Sequence, residues 1–472
     1  MERQSSVILS RWSAPQRQKV SLAILIVVEV LLLAFLASQL LWVEPVEDHR
    51  EFIGDDEYIH FRNEVMGDPA LAVLLALAFA VPLAFRRLRR EPIMLVALQV
   101  AIAGLVWFAL WPLLQVFIEG FKAGYKVEGF SLVQFERLLE QPMVARATKN
   151  TLIIGVTTAV LTVVIGTLVA FTLTLTPIPG KRWLRILTIL PLVSPPFAVS
   201  FAFILLFGRR GVVTYDLLGI TQYDIYGPQG IILVQLISDI PVAILILSAV
   251  FASVSRDLEE AAEDLGGRPF HVLRTVTFPL VVPAIMTAAL LNFIASISDF
   301  GNPMLIGGGF QVLATQAFIQ LIEMYDLQQG AALSMLLLIP ALIAFLLQHW
   351  ISNRRSYVTV TSGARTGHVR QLPSGLKWPL YSLTFFLAGF NVLLYGSIFV
   401  GTFVKTWGFD YTPTLRNLRG LVSALPQLQN SMIVSASAGV IGGLVGIMIA
   451  WLVTRPRAPW GGPLDFSATV MY

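Results

Sequence analysis

The sequence predicts an all-α protein that crosses a membrane about ten times. The 472 residues are 56% hydrophobic and only 13% charged, with a mean hydropathy of +0.73, whereas soluble domains carry roughly 25% charged residues. Many apolar runs reach the about 20 residues that a helix needs to cross a hydrocarbon core of about 30 Å. These runs are too long for barrel strands, and a backbone in lipid must satisfy its own hydrogen bonds, so helices are predicted.

Ten runs meet this length, and we expect each to form one span. They lie near residues 20–43, 69–85, 93–118, 150–175, 186–207, 229–251, 281–300, 329–349, 380–404 and 430–453. The first run is too long for a signal peptide and lacks a small-residue cleavage site, so it is interpreted as a retained span. The chain contains no cysteine, which excludes disulfides, thiolate metal sites and cysteine nucleophiles.

The distribution of Lys and Arg predicts a cytoplasmic N-terminus. With that orientation the inside loops carry 21 of the 33 Lys and Arg residues, including the RRLRR cluster at 86–90. The loop at 44–68 is mostly acidic and suits the outside. Basic residues in short loops explain the net charge of +4, which therefore does not indicate nucleic acid as a partner; the expected surroundings are membrane lipid.

One polar segment, residues 255–283, interrupts the apolar chain and is expected in the cytoplasm. Leu258, Ala261, Ala262 and Leu265 have the spacing of one face of a short helix. Gly266 and Gly267 should end that helix. Pro269 is well placed to open a second short helix, and Pro279 is expected to end it.

The spacing of this segment resembles the EAA loop of binding-protein-dependent ABC transporter permeases. Glu260, Ala261 and Ala262 are followed by Gly266 and then by Pro279 in the pattern E-A-A-x3-G-x9-I-x-L-P. The chain departs from this pattern by Val at 276 and Phe at 278, both apolar for apolar. An ordinary amphipathic interfacial helix is the alternative interpretation.

The resemblance implies a type I ABC importer permease in the bacterial inner membrane, which works together with separate partner proteins. In that family the loop couples the membrane subunit to separate ABC ATPase subunits, and a periplasmic solute-binding protein delivers the solute. A second permease copy is a further implied partner. Glu260, Ala261, Ala262, Gly266 and Pro279 would form the coupling site.

The domain organisation follows from the loop and from a weak internal repeat. We expect a two-helix extension at 1–92, a six-helix permease unit at 93–350, a linker at 351–379 and the start of a second unit at 380–472. Asn150, Gly166 and Ala170 recur at an offset of 280 as Asn430, Gly446 and Ala450. The second unit has no EAA loop and stops where its next span should begin, so we expect a truncated sequence or a departure from the family.

Two polar stripes inside predicted spans are candidate parts of a translocation pathway. Gln235 and Asp239 are four residues apart in the sixth span, and Asn292, Ser296 and Asp299 share one face of the seventh. Polar side chains that face lipid are costly, so both stripes should face protein or a water-filled path. The alternative is that they only bond neighbouring helices.

The segment 298–303, SDFGNP, resembles the corresponding stretch of ferric iron permeases, which are also often fused two-unit chains. This resemblance implies Fe(III) uptake, and the two aspartates would supply hard oxygen ligands. Phosphonate, polyamine, sulfate and thiamine permeases share the architecture and remain alternatives.

Motifs for other chemistry are missing. The sequence has no G-x4-G-K-[ST], no H-E-x-x-H and no G-x-S-x-G, so we expect no ATP hydrolysis by this chain, no catalytic residues, no metal site and no cofactor. A secondary transporter driven by an ion gradient is the competing class. It would show mid-membrane charges in both repeats, but only the first repeat carries such carboxylates.

Overall fold

The computed structural model describes residues 92–354 and 373–454, except residues 125, 126, 221, 223 and 255, together with residues 74, 75, 78 and 82. The predicted span at 20–43, most of the span at 69–85 and most of the linker lie outside these residues. The chain divides into two compact units, one formed by 1–115 with 426–472 and the other by 116–425. In the first unit, Met94, Leu95 and Leu98 pack with Leu452.

Within the described ranges, eight helical segments are long and apolar enough to cross a membrane, and each overlaps one of the eight predicted spans there. The fifth differs most, since it covers Phe197–Leu217 where 186–207 was predicted. The protein is therefore a multi-pass, mostly helical membrane protein, as the sequence predicts. Up to the linker, the α-helices are α1 (Pro92–Leu105), α2 (Trp111–Gly120), α3 (Val133–Glu140), α4 (Pro142–Leu175), α5 (Lys181–Ile189), α6 (Pro196–Phe207), α7 (Pro228–Ser253), α8 (Arg256–Asp264), α9 (Pro269–Val272), α10 (Phe278–Ser298), α11 (Gly301–Ile306), α12 (Leu313–Ile322) and α13 (Leu327–Arg354).

After the linker come α14 (Ser374–Thr402), α15 (Arg416–Ser423) and α16 (Leu425–Val453). Three wider, π-helical turns join helices or extend them, at Val106–Leu110, Val212–Leu217 and Leu273–Thr277. Two short antiparallel hairpins pair β1 (Lys122–Gly124) with β2 (Val127–Phe130) and β3 (Val404–Thr406) with β4 (Asp410–Pro413).

The core of the second compact unit forms where α4 packs against α7 and α10. Val169 and Leu173 on α4 are fully buried, and Ile240 and Ile244 on α7 are each only 1% exposed. Gly166 lets the two helices approach, because a Cβ atom on it would lie 2.7 Å from the Cβ of Ala243. Small residues at such crossings are the usual means of helix contact in membranes.

The predicted fifth span at 186–207 is broken by prolines. This stretch contains the end of α5, one 3₁₀ turn at Leu190–Val193, an extended Ser194 and then α6. The helical segment that is long and apolar enough to cross a membrane begins after the break, at Phe197–Leu217. Pro191, Pro195 and Pro196 carry no N–H, so none of them can donate the hydrogen bond that continues an α-helix. Helix α14, from beyond the linker, packs against both halves of this broken span.

The order of elements recurs after the linker. In each case a long helical span is followed by a β-hairpin, a short amphipathic helix and a second long helix; these are α1–α2, β1–β2, α3 and α4 first, then α14, β3–β4, α15 and α16. The two stretches differ in burial: α3 has buried Gln134 and Leu138, whereas α15 has no buried residue.

Three further predicted boundaries need correction. The fourth span begins at Pro142 and not near 150, because proline suits the first helical turn and starts the helix two turns earlier. The linker is shorter than 351–379, since α13 continues to Arg354 and α14 begins at Ser374. Pro279 does not end the second short helix: the π-helical turn before it, closed by a bond from the Phe278 N–H to Leu273 O, carries the helical path on into α10.

The close α4–α7 crossing gives a stability prediction. Gly166→Ala should lower the melting temperature of the purified protein, because the added methyl group forces the backbones apart at a cost of roughly 1–3 kcal/mol. Gly389→Ala, on α14, is the matched control, since a Cβ there meets nothing within 4 Å, and it should leave stability equal or higher. Equal melting temperatures for the two variants would contradict the packing described.

Candidate functional site

A buried polar cluster joins the sixth and seventh spans. Gln235 on α7 is 1% exposed. Its Oε1 accepts hydrogen bonds from Ser296 Oγ at 2.7 Å and Thr158 Oγ1 at 3.2 Å. Its Nε2 donates to Ser296 O at 3.1 Å and to Asp299 Oδ2 at 3.0 Å. One amide therefore links α4, α7 and the C-terminal end of α10.

The cluster continues from Asp299 into the segment that follows α10. Asn302 donates to the carboxylate twice, from its backbone N–H to Oδ1 at 3.1 Å and from Nδ2 to Oδ2 at 2.8 Å. Ser200 Oγ on α6 donates to Asn302 Oδ1 at 2.7 Å. With these bonds the network reaches the broken fifth span, and Asp299 receives three donors.

The other two residues of the predicted stripes have different surroundings. Asn292 is 1% exposed, but its amide donates from Nδ2 to Ala288 O of its own helix, so it stands outside the network. Asp239 is half-buried and makes no hydrogen bond or ion pair within the described ranges. Asp239 lies one helical turn beyond Gln235 on α7, and Gln235 bonds Asp299, so the two carboxylates share one region of the bundle.

The structure thus brings Gln235, Ser296 and Asp299 together, and it adds Thr158, Ser200 and Asn302. Sequence reasoning quoted Asn302 only within a motif. Thr158 and Ser200 carried no signal, because single hydroxyl residues on long apolar helices usually bond their own backbone. In the described part of the chain, no three His, Asp or Glu side chains gather closely enough to hold a metal ion.

The predicted coupling loop forms a compact helical turn. At the end of α8 the Gly266 N–H bonds Glu263 O at 2.8 Å and the Gly267 N–H bonds Ala262 O at 3.0 Å. This pair is the Schellman arrangement, which needs a left-handed residue at its centre. Gly266 supplies it with φ +87°, so glycine at this position has a backbone reason.

The apolar face of the loop is exposed. Leu258, Leu265 and Phe270 are 51%, 90% and 69% exposed. Glu260 and Ala261 are also exposed, Ala262 is half-buried, and Pro279 lies exposed in the first turn of α10. Three large apolar side chains at one short loop form a surface suited to a protein partner.

One side-chain bond ties this loop to the seventh span. Thr277, fully buried at the base of α10, donates from Oγ1 to Glu259 Oε1. The sequence gave no signal for this contact. Because α10 also carries Ser296 and leads into Asp299, the predicted coupling loop and the buried cluster share one helix.

Because consecutive spans alternate in direction, a different set of loops lies at the other end of the spans, after α2, α6, α11 and α14. Arg209 and Asp224 form an ion pair there, with Nη2 and Oδ2 3.0 Å apart. The hydrogen bond from Arg209 holds the pKa of Asp224 below its usual range, with help from the Tyr226 backbone N–H. This ion pair therefore connects the two ends of the loop between α6 and α7.

A multi-pass helical bundle with an intramembrane polar cluster and an exposed helical loop is the layout of a membrane transport subunit. Residues 162–357 match the family model described as binding-protein-dependent transport system inner membrane component. The chain is 30% identical over 183 residues to the molybdenum transport system permease protein ModB of Escherichia coli (strain K12), covering 37% of this chain and 79% of ModB. The chain therefore belongs to the family of binding-protein-dependent transport system inner membrane components.

Longer alignments are found with two ferric transport permeases. The chain is 34% identical over 424 residues to the ferric transport system permease protein FbpB of Actinobacillus pleuropneumoniae, covering 86% of this chain and 61% of FbpB. It is 34% identical over 380 residues to the putative ferric transport system permease protein FbpB 1 of Haemophilus influenzae, covering 78% and 59%. The chain spans about three fifths of the length of these relatives.

The central position of Gln235 can be tested by comparing two equally buried amides. Gln235→Leu removes two acceptor bonds and two donor bonds and leaves Asp299 one donor short, so we expect a loss of roughly 2–4 kcal/mol in unfolding free energy. Asn292→Leu should cost less, because the Asn292 bond stays within one helix. Chemical or thermal unfolding in detergent measures both, and equal losses would show that the network does not hold the helices together.

Proposed function

We propose that this chain is the transmembrane permease subunit of an ATP-driven importer for ferric iron. The support for the substrate is the 34% identity to a ferric transport permease over 86% of the chain. The support for ATP-driven transport is the family itself together with the exposed coupling loop. ATP binding and hydrolysis belong to separate ABC ATPase subunits, because this sequence contains no P-loop.

The observation that carries the mechanism is the connection from the loop to the buried cluster. An ATPase subunit would cover Leu258, Leu265 and Phe270, and Glu260 would meet a basic group or a helix N-terminus on it. A movement of α8 pulls on Thr277 through Glu259. Helix α10 then transmits that movement to Ser296 and Asp299, which would switch the pathway between its two access states.

The pathway itself would pass the two carboxylates. Asp299 is fixed by three donors, whereas Asp239 makes no bond within the described ranges and keeps its oxygens for a passing cation. Carboxylate oxygens suit a hard trivalent cation. For sulfate, one of the alternative substrates, two carboxylates would repel the solute. Fe(III) here is a transported substrate and not a resident ligand.

The position in the cell follows from the same proposal. The protein would lie in the bacterial inner membrane with its N-terminus and residues 255–283 in the cytoplasm, since the inside loops then carry 21 of 33 Lys and Arg residues. A periplasmic solute-binding protein would deliver iron to the opposite end of the bundle. The recurring element order supports two permease repeats in tandem, and a complete importer needs two coupling loops, from a second repeat or a second copy.

The two carboxylates should respond differently to neutralisation. We expect Asp239→Asn to reduce uptake of radioactive Fe(III) at least about tenfold while leaving the melting temperature unchanged, because no hydrogen bond is lost. Asp299→Asn should reduce uptake and also destabilise the protein by about 1–3 kcal/mol, because charge-assisted bonds weaken. Cells that express the permease with its ATPase and binding protein provide the assay, with sulfate, phosphonate and polyamine as competitors. Uptake of one of these solutes instead of iron would overturn the assignment of Fe(III) as the substrate.

The coupling loop can be tested without any substrate. Glu260→Arg and Gly266→Pro should abolish co-purification of the ATPase subunit, the first by reversing a contact charge and the second by removing both the left-handed residue and its N–H. Glu323→Arg is the matched charge reversal, on an exposed residue at the opposite end of the bundle, and should leave co-purification intact. Normal co-purification of both loop variants would exclude residues 255–283 as the docking site.

A further inference from the structure

The break in the fifth span leaves backbone carbonyls without their regular helical donors. In a regular helix the N–H of residue 191 would bond Leu187 O, and the N–H of residue 195 would bond Pro191 O. Both positions are proline, so both donors are missing. A backbone carbonyl that is buried without a partner is costly, so the break must obtain other donors.

Helix α14, which follows the linker, provides the donor for Leu187 O directly. It also bonds Ser194, the residue that donates to Pro191 O. Asn391 Nδ2 donates to Leu187 O at 2.9 Å, which replaces the bond lost at Pro191. Pro191 O accepts from the N–H of Ser194 at 3.2 Å and from its Oγ at 2.9 Å, and Tyr395 OH donates to that Oγ at 2.8 Å. Asn391 and Tyr395 are one helical turn apart, so they reach the break from one face of α14.

Neighbouring contacts hold the same face of α14 on the break. Phe390 packs against Phe203 and Phe207 of α6, with ring centroids 5.6 and 6.0 Å apart. Past the end of α14, Trp407 Nε1 donates to Leu205 O at 2.7 Å, in the last turn of α6. Residues from α14 onward therefore supply hydrogen-bond donors both at the break between α5 and α6 and at the end of α6.

We infer that Asn391 and Tyr395 are positioning residues that compensate for the hydrogen bonds removed by Pro191 and Pro195, and so fix the broken fifth span. The consequence for transport rests on the proposed function: Ser200 on α6 bonds Asn302 beside Asp299, so a displaced break shifts one wall of the pathway. The brace itself does not depend on which solute is carried.

A double-mutant cycle tests this inference, because the missing donor can be restored on the backbone. Asn391→Leu removes the side-chain donor, and Pro191→Ala returns an N–H that can bond Leu187 O. The cysteine-free sequence allows one spin label at Val193→Cys, a residue at the break that is 83% exposed. The full chain in lipid nanodiscs then reports mobility of the break by electron paramagnetic resonance, without ATPase or iron.

We expect Asn391→Leu to raise the ratio of mobile to immobile label about tenfold, the factor that one lost buried hydrogen bond gives. In the Pro191→Ala background the same substitution should change the ratio less than twofold. Thr384→Val is the matched control on α14, because Thr384 is fully buried and its hydroxyl bonds Leu380 O of its own helix; it should have no effect. Tyr395→Phe, which removes one hydroxyl, should raise the ratio of mobile to immobile label by a smaller factor. It is the replacement test if the Asn391→Leu protein does not insert into the membrane.

An equal effect of Asn391→Leu with Pro191 intact and in the Pro191→Ala background would overturn the inference, as would no effect in either. If the double-mutant cycle gives the expected result but the wild-type protein does not take up iron, the proposed substrate is overturned. The role of Asn391 and Tyr395 at the break then still stands.

Discussion

Every backbone N–H and C=O group of this chain that is buried away from water must find a partner inside the protein, because neither lipid nor an apolar core offers one. Regular helices meet this requirement by themselves. The fifth span does not, since three prolines interrupt it between α5 and α6. Leu187 O depends on Asn391, and Ser194, which bonds Pro191 O, is held by Tyr395. A local sequence feature thus forces a contact between segments about 200 residues apart, and that contact joins α14 to the broken stretch.

The second requirement is that buried side chains satisfy one another, and it explains the position of the polar cluster. Gln235 uses both ends of its amide, and Asp299 accepts three donors. Such a network favours one arrangement of the helices over alternative arrangements, because a packing that leaves part of the network without hydrogen bonds is costly. The network lies on the same helix that receives Glu259 of the coupling loop through Thr277. Loop, helix and cluster are therefore mechanically continuous within one compact unit.

Much of the fold follows from sequence patterns that act locally. Apolar run length predicted the number and the approximate positions of the spans in the described ranges, because each depends on a single helix. The prolines at 191, 195 and 196 break the predicted fifth span for a local reason too. The positions of Gly266 and Gly267 predicted the end of α8 for the same reason. Pro279 was misjudged, since a π-helical turn can absorb a proline without ending the helix and has no simple sequence signal.

The site was harder to predict, because its partners come from distant helices. The stripe spacing found Gln235, Ser296 and Asp299, but helical periodicity cannot tell which neighbour a polar face meets. Thr158, Ser200 and Asn391 therefore had no signal, and Asn292 looked equivalent to Ser296 although its amide donates to its own helix in the described structure. The Glu259–Thr277 bond was missed for a related reason: a charged residue on an amphipathic helix is usually solvated.

The central claim is that the coupling loop and the wall of the pathway move together when the ATPase subunit binds ATP. Spin labels at Leu265→Cys and Val193→Cys, both on highly exposed positions of one compact unit, allow the distance between loop and break to be measured by double electron–electron resonance. We expect the distance distribution of the assembled complex to shift when ATP is trapped in the ATPase subunits. An identical distribution with and without ATP, in a complex that hydrolyses ATP normally, would contradict the claim.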